Sequence, residues 1–406
     1  MNDYPYPAFS GYGLELEYMI VDATTLDVLP IADRILASQG TADDMDVVRE
    51  QAAWSNELAL HVIELKTLGP CRDFAEAERI FRGEIRALSA LLEAEGARLM
   101  PTGAHPWMDP ARETRLWPHQ NDAIYQAFDR IFDCRGHGWS NLQSMHINFP
   151  FQTEDDFVRV HAACRFVLPL LPGLAASSPF LDGKAAAAKD ARLLAYEGNC
   201  RRVPEVTGDV VPEIIESSRA YEKLLAGIYT ALAPHDPAAI LREEWVNARG
   251  AIARFERGAV EIRVLDTQEC PEQDMAIAVL VTSLVQALAS GEFLSLGELV
   301  HFPSAPLVAQ YRRSRTDAAG AELVGDAYRA AFGSSQGTVG GLWHELIQRL
   351  IPSTSPVRSR LDLVAREGTL AERLLRRAGP SPSHDALWLL YGDVSSCLLT
   401  GAAFCP

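Results

Sequence analysis

The stretch "YGLELEYMIVD", residues 12–22, alternates apolar and acidic side chains. Successive side chains of an extended strand point to opposite faces. Leu14, Leu16, Tyr18 and Ile20 then share one face, and Gly13, Glu15, Glu17 and Met19 share the other. Two carboxylates separated by twice the strand rise lie about 7 Å apart. With so apolar a back, this strand is expected to belong to a packed sheet whose acidic face meets positive charge.

The pattern recurs along the chain. "ELALHVIELKTLG" (57–69) reads as a second strand, with Leu60, Val62, Glu64 and Lys66 on one face and Glu57 at its mouth. In "SMHINF" (144–149), Ser144, His146 and Asn148 face away from Met145, Ile147 and Phe149. "AIARFERGAVEIRVLD" (251–266) predicts a hairpin in which Glu261 and Arg263 oppose Val260, Ile262 and Val264. A two-residue turn at Arg257-Gly258 would set Arg254 opposite Glu261 and Phe255 opposite Val260. Each feature alone has a plainer explanation: a solvated strand face, a hydrogen-bonded core histidine, a structural ion pair. Four strands with the same habit argue otherwise, because a solvated sheet face would tend to carry Thr, Lys, Gln and Ser.

Were these strands to share a sheet, Glu15, Glu17, Glu57, Glu64 and Glu261 would meet in one concavity. Carboxylates so close raise one another's pKa unless cations neutralise them. An oxygen-rich site with one imidazole suits Mg²⁺ or Mn²⁺ and not zinc. Two or three such ions beside arginines form a clamp for a polyphosphate and its transferring phosphoryl group. The residues alone therefore indicate metal-dependent phosphoryl chemistry.

Around the strands, "RDFAEAERIFRGEIRALSALLEAEG" (72–96) predicts a helix. Phe74, Ala77, Phe81, Ile85, Leu88 and Leu92 recur at helical spacing, and Gly96 is placed to stop it. "PEQDMAIAVLVTSLVQALAS" (271–290) predicts a buried helix, and the chain beyond about 300 is mostly helical in pattern. The expected class is α+β, a largely antiparallel sheet flanked by helices. Residues 1–300 would form the catalytic body and residues 301–406 a helical segment packed on it. A 406-residue chain that is 48% hydrophobic has ample material for such a core. The net charge of −17 argues against a nucleic-acid partner. Seven scattered cysteines without a C-x-x-C pair suit free thiols in a reducing compartment. No run approaches the ~20 apolar residues of a membrane span. "MNDYPYPAFSGYG" lacks the pattern of a signal peptide. A soluble, cytoplasmic protein without a membrane partner is expected.

In "GLELEYMIVD", "ELALHVIELKT", "GAHPW", "SMHINF", "SSPFLDGK", "VEIRVLD" and "EGTLAERLLRRAG", spanning residues 11 to about 378, the chain resembles the carboxylate–amine ligases of the glutamate–cysteine ligase type. These share a catalytic fold with glutamine synthetase. The resemblance implies a saddle-shaped sheet, ATP, and Mg²⁺ or Mn²⁺ held between ATP and an acid substrate. Position by position it implies one ion on Glu17, Glu57 and Glu64, and another, nearer the transferred phosphate, on Glu15, His146 and Glu261. Arg254 and Arg263 would stabilise charge on the γ-phosphate and the acyl phosphate. Asn148, where many relatives have a second histidine, could hydrogen-bond the nucleotide. The implied partners are a small-molecule amino acid, with glutamate the first candidate, and an amine. Relatives of this kind often self-associate, but no interface stripe is legible here.

Arg192, Arg201 and Arg202, in or near the divergent segment 195–213, are candidates to bind substrate carboxylates. Each can equally be a solvated loop arginine. Two other classes stay open: a guanidino phosphotransferase on the same fold, and a non-catalytic nucleotide-binding relative. A hydrolase is disfavoured, because "GSSQG" (333–337) follows a helical pattern where a nucleophile elbow needs a strand. "WHELIQ" (343–348) lacks the second histidine of a zinc site.

Overall fold

The computed structural model describes residues 4–40 and 46–406. Ten strands are present among them. They are β1 (Gly13–Asp22), β2 (Asp46–Val48), β3 (Ala52–Asn56), β4 (Val62–Thr67), β5 (Ala97–Met100), β6 (Ser144–Pro150), β7 (Phe180–Leu181), β8 (Lys184–Ala185), β9 (Ala251–Arg254) and β10 (Ala259–Asp266). Eight form one sheet in the order β2-β3-β4-β1-β6-β10-β9, with β5 pairing the far end of β1. Every pairing in it is antiparallel. β7 and β8 make a separate ribbon turned by Asp182 and Gly183 of "DGK" (182–184), with Lys184 opening β8.

The oily face of β1 is the floor of the core. Leu14, Leu16, Tyr18 and Ile20 are buried with Ile63 and Leu65 of β4, Ile147 of β6 and Ile262 of β10. Against them lie Ala77, Phe81, Ile85, Leu88 and Leu92, the stripe of the helix Phe74–Ala94. Asp73 caps that helix by accepting from the Ala75 N–H at 2.9 Å. Each such large side chain contributes about 1.5–3 kcal/mol on burial. Trimming Leu88 to alanine would therefore cost about 2–5 kcal/mol, cavity included.

The helix Pro271–Ala289 has the length and hydropathy of a membrane span, which the sequence reading did not credit to it. Its neighbours explain the composition: it packs in the core against the helices Glu154–Val167 and Phe74–Ala94. Helices beyond residue 300 join the same core through Leu307, Tyr311, Trp343 and Leu346. A buried pair, Arg373 Nη1 to Glu269 Oε1 at 2.7 Å, ties the helix Leu370–Ala378 to the segment that follows β10.

Two parts of the sheet depart from the expectation. The strand expected over 57–69 begins only at Val62, because residues 58–61 turn instead. The Leu60 N–H donates to Arg115 O at 2.8 Å, and the Val62 N–H folds back onto Ala59 O at 2.9 Å. Glu57 thus follows β3, which has no counterpart in the reading, as β2 has none. In the hairpin, Arg254 pairs with Ala259 and Val260 with Ala253, so four residues, 255–258, make the loop. Gly258 closes it at φ +63°, where a side chain would also collide with Tyr4. The shift from the expected register is two residues, which preserves faces; a shift of one would have inverted them.

"GSSQG" joins the helix Ala327–Phe332 to the helix Val339–Leu350, so no strand precedes it.

His161, inside the helix Glu154–Val167, is buried with neither ring nitrogen hydrogen-bonded. Burial first, and Arg165 second, push its pKa down to about 3. An unfolded histidine takes up its proton near 6.5. The unfolded state thus binds a proton that the folded state refuses, and stability falls as pH drops from 6.5 towards 3. For this one group the loss at pH 5 is about 2 kcal/mol. Denaturant titrations at pH 7 and pH 5 should show His161→Leu gaining about that much on the wild type at the lower pH. An unchanged gap would contradict the assignment.

Candidate active site: a carboxylate row on the second sheet face

The register of the sheet brings the acidic face together. Glu15 sits between Lys66 of β4 and His146 of β6, and Glu17 opposite Glu64. Glu64 in turn faces Ser55 of β3, which donates to it. Asn148 faces Gly13 on one side and Glu261 on the other. Glu15, Glu17, Glu64 and Glu261 are all buried, although they point away from the core, because short helices and loops roof this face. The roof leaves a cavity of about 450 Å³, lined by all five predicted carboxylates with His146, Arg192, Arg254 and Arg263.

Glu15 has three partners, two on β6 and one in the loop between β9 and β10. His146 Nδ1 lies 2.9 Å from one oxygen, and Asn148 Nδ2 (3.1 Å) and Arg257 Nη1 (3.2 Å) reach the other. Glu17 accepts from the Ser144 N–H at 2.7 Å, and Ser144 Oγ lies 2.9 Å from His146 Nε2. Both oxygens of Glu261 are taken: Arg254 Nη1 at 3.1 Å on one, Arg263 Nε at 3.0 Å on the other. A register break in β10 between Ile262 and Leu265 falls at Arg263, and such bulges re-aim side chains.

Electrostatics divides the carboxylates into two groups. Burial opposes charge on Glu15, but the His146 hydrogen bond and the His146 and Arg257 charges outweigh it and hold the carboxyl far below its usual range. Burial also opposes charge on Glu261, and Arg263 with His146 prevails there too. Glu57 is pushed up to about 8 by burial and by the charges on Glu17 and Glu15. Glu64 is raised strongly by burial, Glu15 and Glu57, and Glu17 is raised chiefly by burial. His146 is raised to about 9: burial works against its charge, but Glu15 and Glu17 win. Three of the five carboxyls thus sit above their usual range and two below it. Glu57 has no ion pair among the described residues. One ligand atom each from Glu15, Glu64 and His146 lies within 4.8 Å of the others. These observations fit a divalent cation bound through oxygen and one imidazole nitrogen.

Of the three candidate arginines, one reaches the cavity. Arg192, on the helix Ala191–Tyr196, is buried and paired through Nε with Asp266, while its Nη2 has no hydrogen-bond partner. Asp266 fits because Gly103 leaves room: a Cβ there would fall 2.3 Å from the carboxyl carbon. Arg201 and Arg202 are exposed and do not line the cavity; Arg202 donates to Arg130 O at 3.4 Å. Arg257, read only as a turn residue, is a ligand of Glu15. The cavity's aromatic lining, Tyr125, Phe128, Trp139, Tyr196 and Trp245, was not foreseen at all. No strand alternation marks those residues, which come from the helices Asp122–Phe132 and Ala191–Tyr196 and the short helical turns His137–Ser140 and Glu244–Val246.

A sequence model of the family described as Glutamate-cysteine ligase family 2 matches residues 12–388. The chain is 36% identical over 275 residues to an uncharacterized protein of Archaeoglobus fulgidus, covering 68% of this chain and 74% of that one. It is 25% identical over 374 residues to a Rubrobacter xylanophilus protein called "Putative glutamate–cysteine ligase 2-3", covering 89% and 90%. Among solved structures, a glutamate–cysteine ligase of Francisella tularensis in complex with AMP is similar in fold. The TM-score is 0.66 at 13% identity, covering 98% of this chain and 90% of that one.

Divalent cation alone should stabilise the protein. At a hundred times Kd, Mg²⁺ or Mn²⁺ is expected to add about 2.7 kcal/mol, visible as a rise in Tm. Glu64→Gln should weaken the apparent affinity markedly. A Tm that does not respond to either ion would contradict the fit.

Proposed function

The chain belongs to glutamate–cysteine ligase family 2, and we propose from that premise that it is an ATP-dependent ligase joining an amino acid's carboxylate to an amine through an acyl phosphate. The observation that carries the proposal is Glu261, buried beneath the cavity with Arg254 on one oxygen and Arg263 on the other. Such an arrangement is built to hold two guanidinium groups in fixed positions beside a row of acids. Guanidinium donors pre-placed where phosphoryl charge develops are a principal source of rate in such transfers.

A carboxylate oxygen of the acid attacks the γ-phosphorus of ATP, and ADP leaves with the electrons of the broken P–O bond. The amine then attacks the acyl carbon, and phosphate departs carrying that same carboxylate oxygen; the amine's proton is lost and an amide remains. Glu15, Glu17, Glu57, Glu64, His146 and Glu261 would hold two or three Mg²⁺ or Mn²⁺ ions, which supply charge neutralisation for the polyphosphate and the transferring group. Arg254 and Arg263 orient against Glu261 and direct their remaining N–H groups at the phosphoryl oxygens. Asn148, whose Oδ1 is buried without a partner, is suited to contact the nucleotide. Arg192 can offer its spare Nη2 to the carboxylate of the acid substrate. The roof of the cavity keeps water from hydrolysing the acyl phosphate. Glutamate is the first candidate for the acid, giving a γ-glutamyl amide. Seven free thiols suit a reducing, cytoplasmic setting for this chemistry.

The test is to incubate the protein with ATP, Mg²⁺ and pools of amino acids and amines, following phosphate and product mass together. Phosphate release with a mass of acid plus amine minus water is expected. Glu261→Gln should lower kcat by about 10²–10³-fold with the circular-dichroism spectrum unchanged. ATP consumption that yields a phosphorylated product and no free phosphate would instead assign a phosphotransferase.

A further inference from the structure

The cavity does not end at the carboxylates. It continues into a chamber walled by four half-buried rings: Tyr125 and Phe128 of the helix Asp122–Phe132, Trp139, and Trp245. Phe128 braces the set, with ring centroids 5.1 Å from Trp139 and 5.9 Å from Trp245. Leu58 and Val206 complete the wall, and none of these six side chains carries a formal charge. Charge in the cavity lining comes instead from strand residues, their adjoining loops and Arg192.

The chamber is joined to the charged row at both ends. The Tyr125 hydroxyl accepts from Asn56 Nδ2 at 2.9 Å, one residue before Glu57. Trp245 follows Glu244, whose Oε1 lies 3.4 Å from Arg254 Nε. A molecule seated among the rings therefore borders both the acids and one of the two arginines on Glu261. These rings pack against the core and, half-buried, also line the cavity, so they present apolar surface to whatever enters.

We propose that this chamber receives the amine substrate, and that the amine carries an aromatic or bulky aliphatic group instead of the small thiol side chain of cysteine. The inference rests on the ligase reading for the word substrate, but the binding site stands on the rings themselves. A cysteine side chain would touch little of the wall and leave apolar surface wet. A phenyl-sized group would stack on it, and apolar pockets favour the substrate that fills them.

The test compares cysteine, leucine, phenethylamine and the cationic agmatine as acceptors with ATP, Mg²⁺ and glutamate or aspartate, reading product mass and kcat/KM. Binding of phenethylamine is measured separately by calorimetry, with and without nucleotide. Phenethylamine or leucine is expected to exceed cysteine at least tenfold in kcat/KM. Trp245→Ala, and the milder Phe128→Leu, should reduce that ratio and weaken phenethylamine binding. If cysteine or agmatine is the best acceptor, and phenethylamine neither binds nor reacts, the chamber proposal fails while the ligase stands. If no amine reacts yet phenethylamine binds the wild type and not Trp245→Ala, the chamber stands and the ligase reading fails. If it neither binds nor reacts and no other amine reacts, both fail.

Discussion

Like-charge repulsion on one sheet face is the constraint around which the structure is organised. Four buried glutamates and the half-buried Glu57 meet there, and burial makes each charge more costly than it would be in water. Two of them are stabilised by the protein itself: Glu15 by His146, Asn148 and Arg257, and Glu261 by Arg254 and Arg263. Glu64, held by Ser55 and Lys66, and Glu17, held by Ser144, have partners too, but burial still raises both, and it raises Glu57 with them. A cation bound among these carboxylates would relieve that cost.

The apolar face of the same strands makes that cost tolerable. Leu14, Leu16, Tyr18 and Ile20 lock β1 against a large core, so its other face cannot rotate away to relieve repulsion. The C-terminal helices add to the constraint. Arg373 holds Glu269, and two residues before it Thr267 Oγ1 donates to the backbone carbonyl of Glu17 at 3.2 Å. One residue earlier, Asp266 pairs with Arg192. Elements remote in sequence thus fix one arginine and one carboxylate of the cavity through three residues of the segment 266–269.

What was legible in the sequence is what period-2 alternation encodes. Glu15, Glu64, His146, Asn148, Glu261 and Arg263 were assignable to strand faces because each sits in a run with an apolar opposite face. The faces survived even where the hairpin register was off, since the error was two residues. β3 was invisible: in "AAWSN" small and polar residues replace the alternation, as its side chains are buried on both faces. Glu57 was placed on the wrong strand for the same reason. Arg257 looked like a turn residue because a single sequence does not show that a four-residue loop curls its side chain back to Glu15. The aromatic chamber comes from three helical segments spread over more than a hundred residues, and no local pattern unites them. Arg201 and Arg202, by contrast, had composition in their favour and proximity to the divergent segment, yet the fold turns both outward.

The central claim is that this carboxylate row transfers a phosphoryl group to an acid's carboxylate before the amide forms. It is tested most directly by supplying the acid substrate with ¹⁸O in its carboxylates and following the label. The account predicts that, for each amide formed, one ¹⁸O from the reacting carboxylate appears in the released phosphate. Amide formation with phosphate free of label would contradict it.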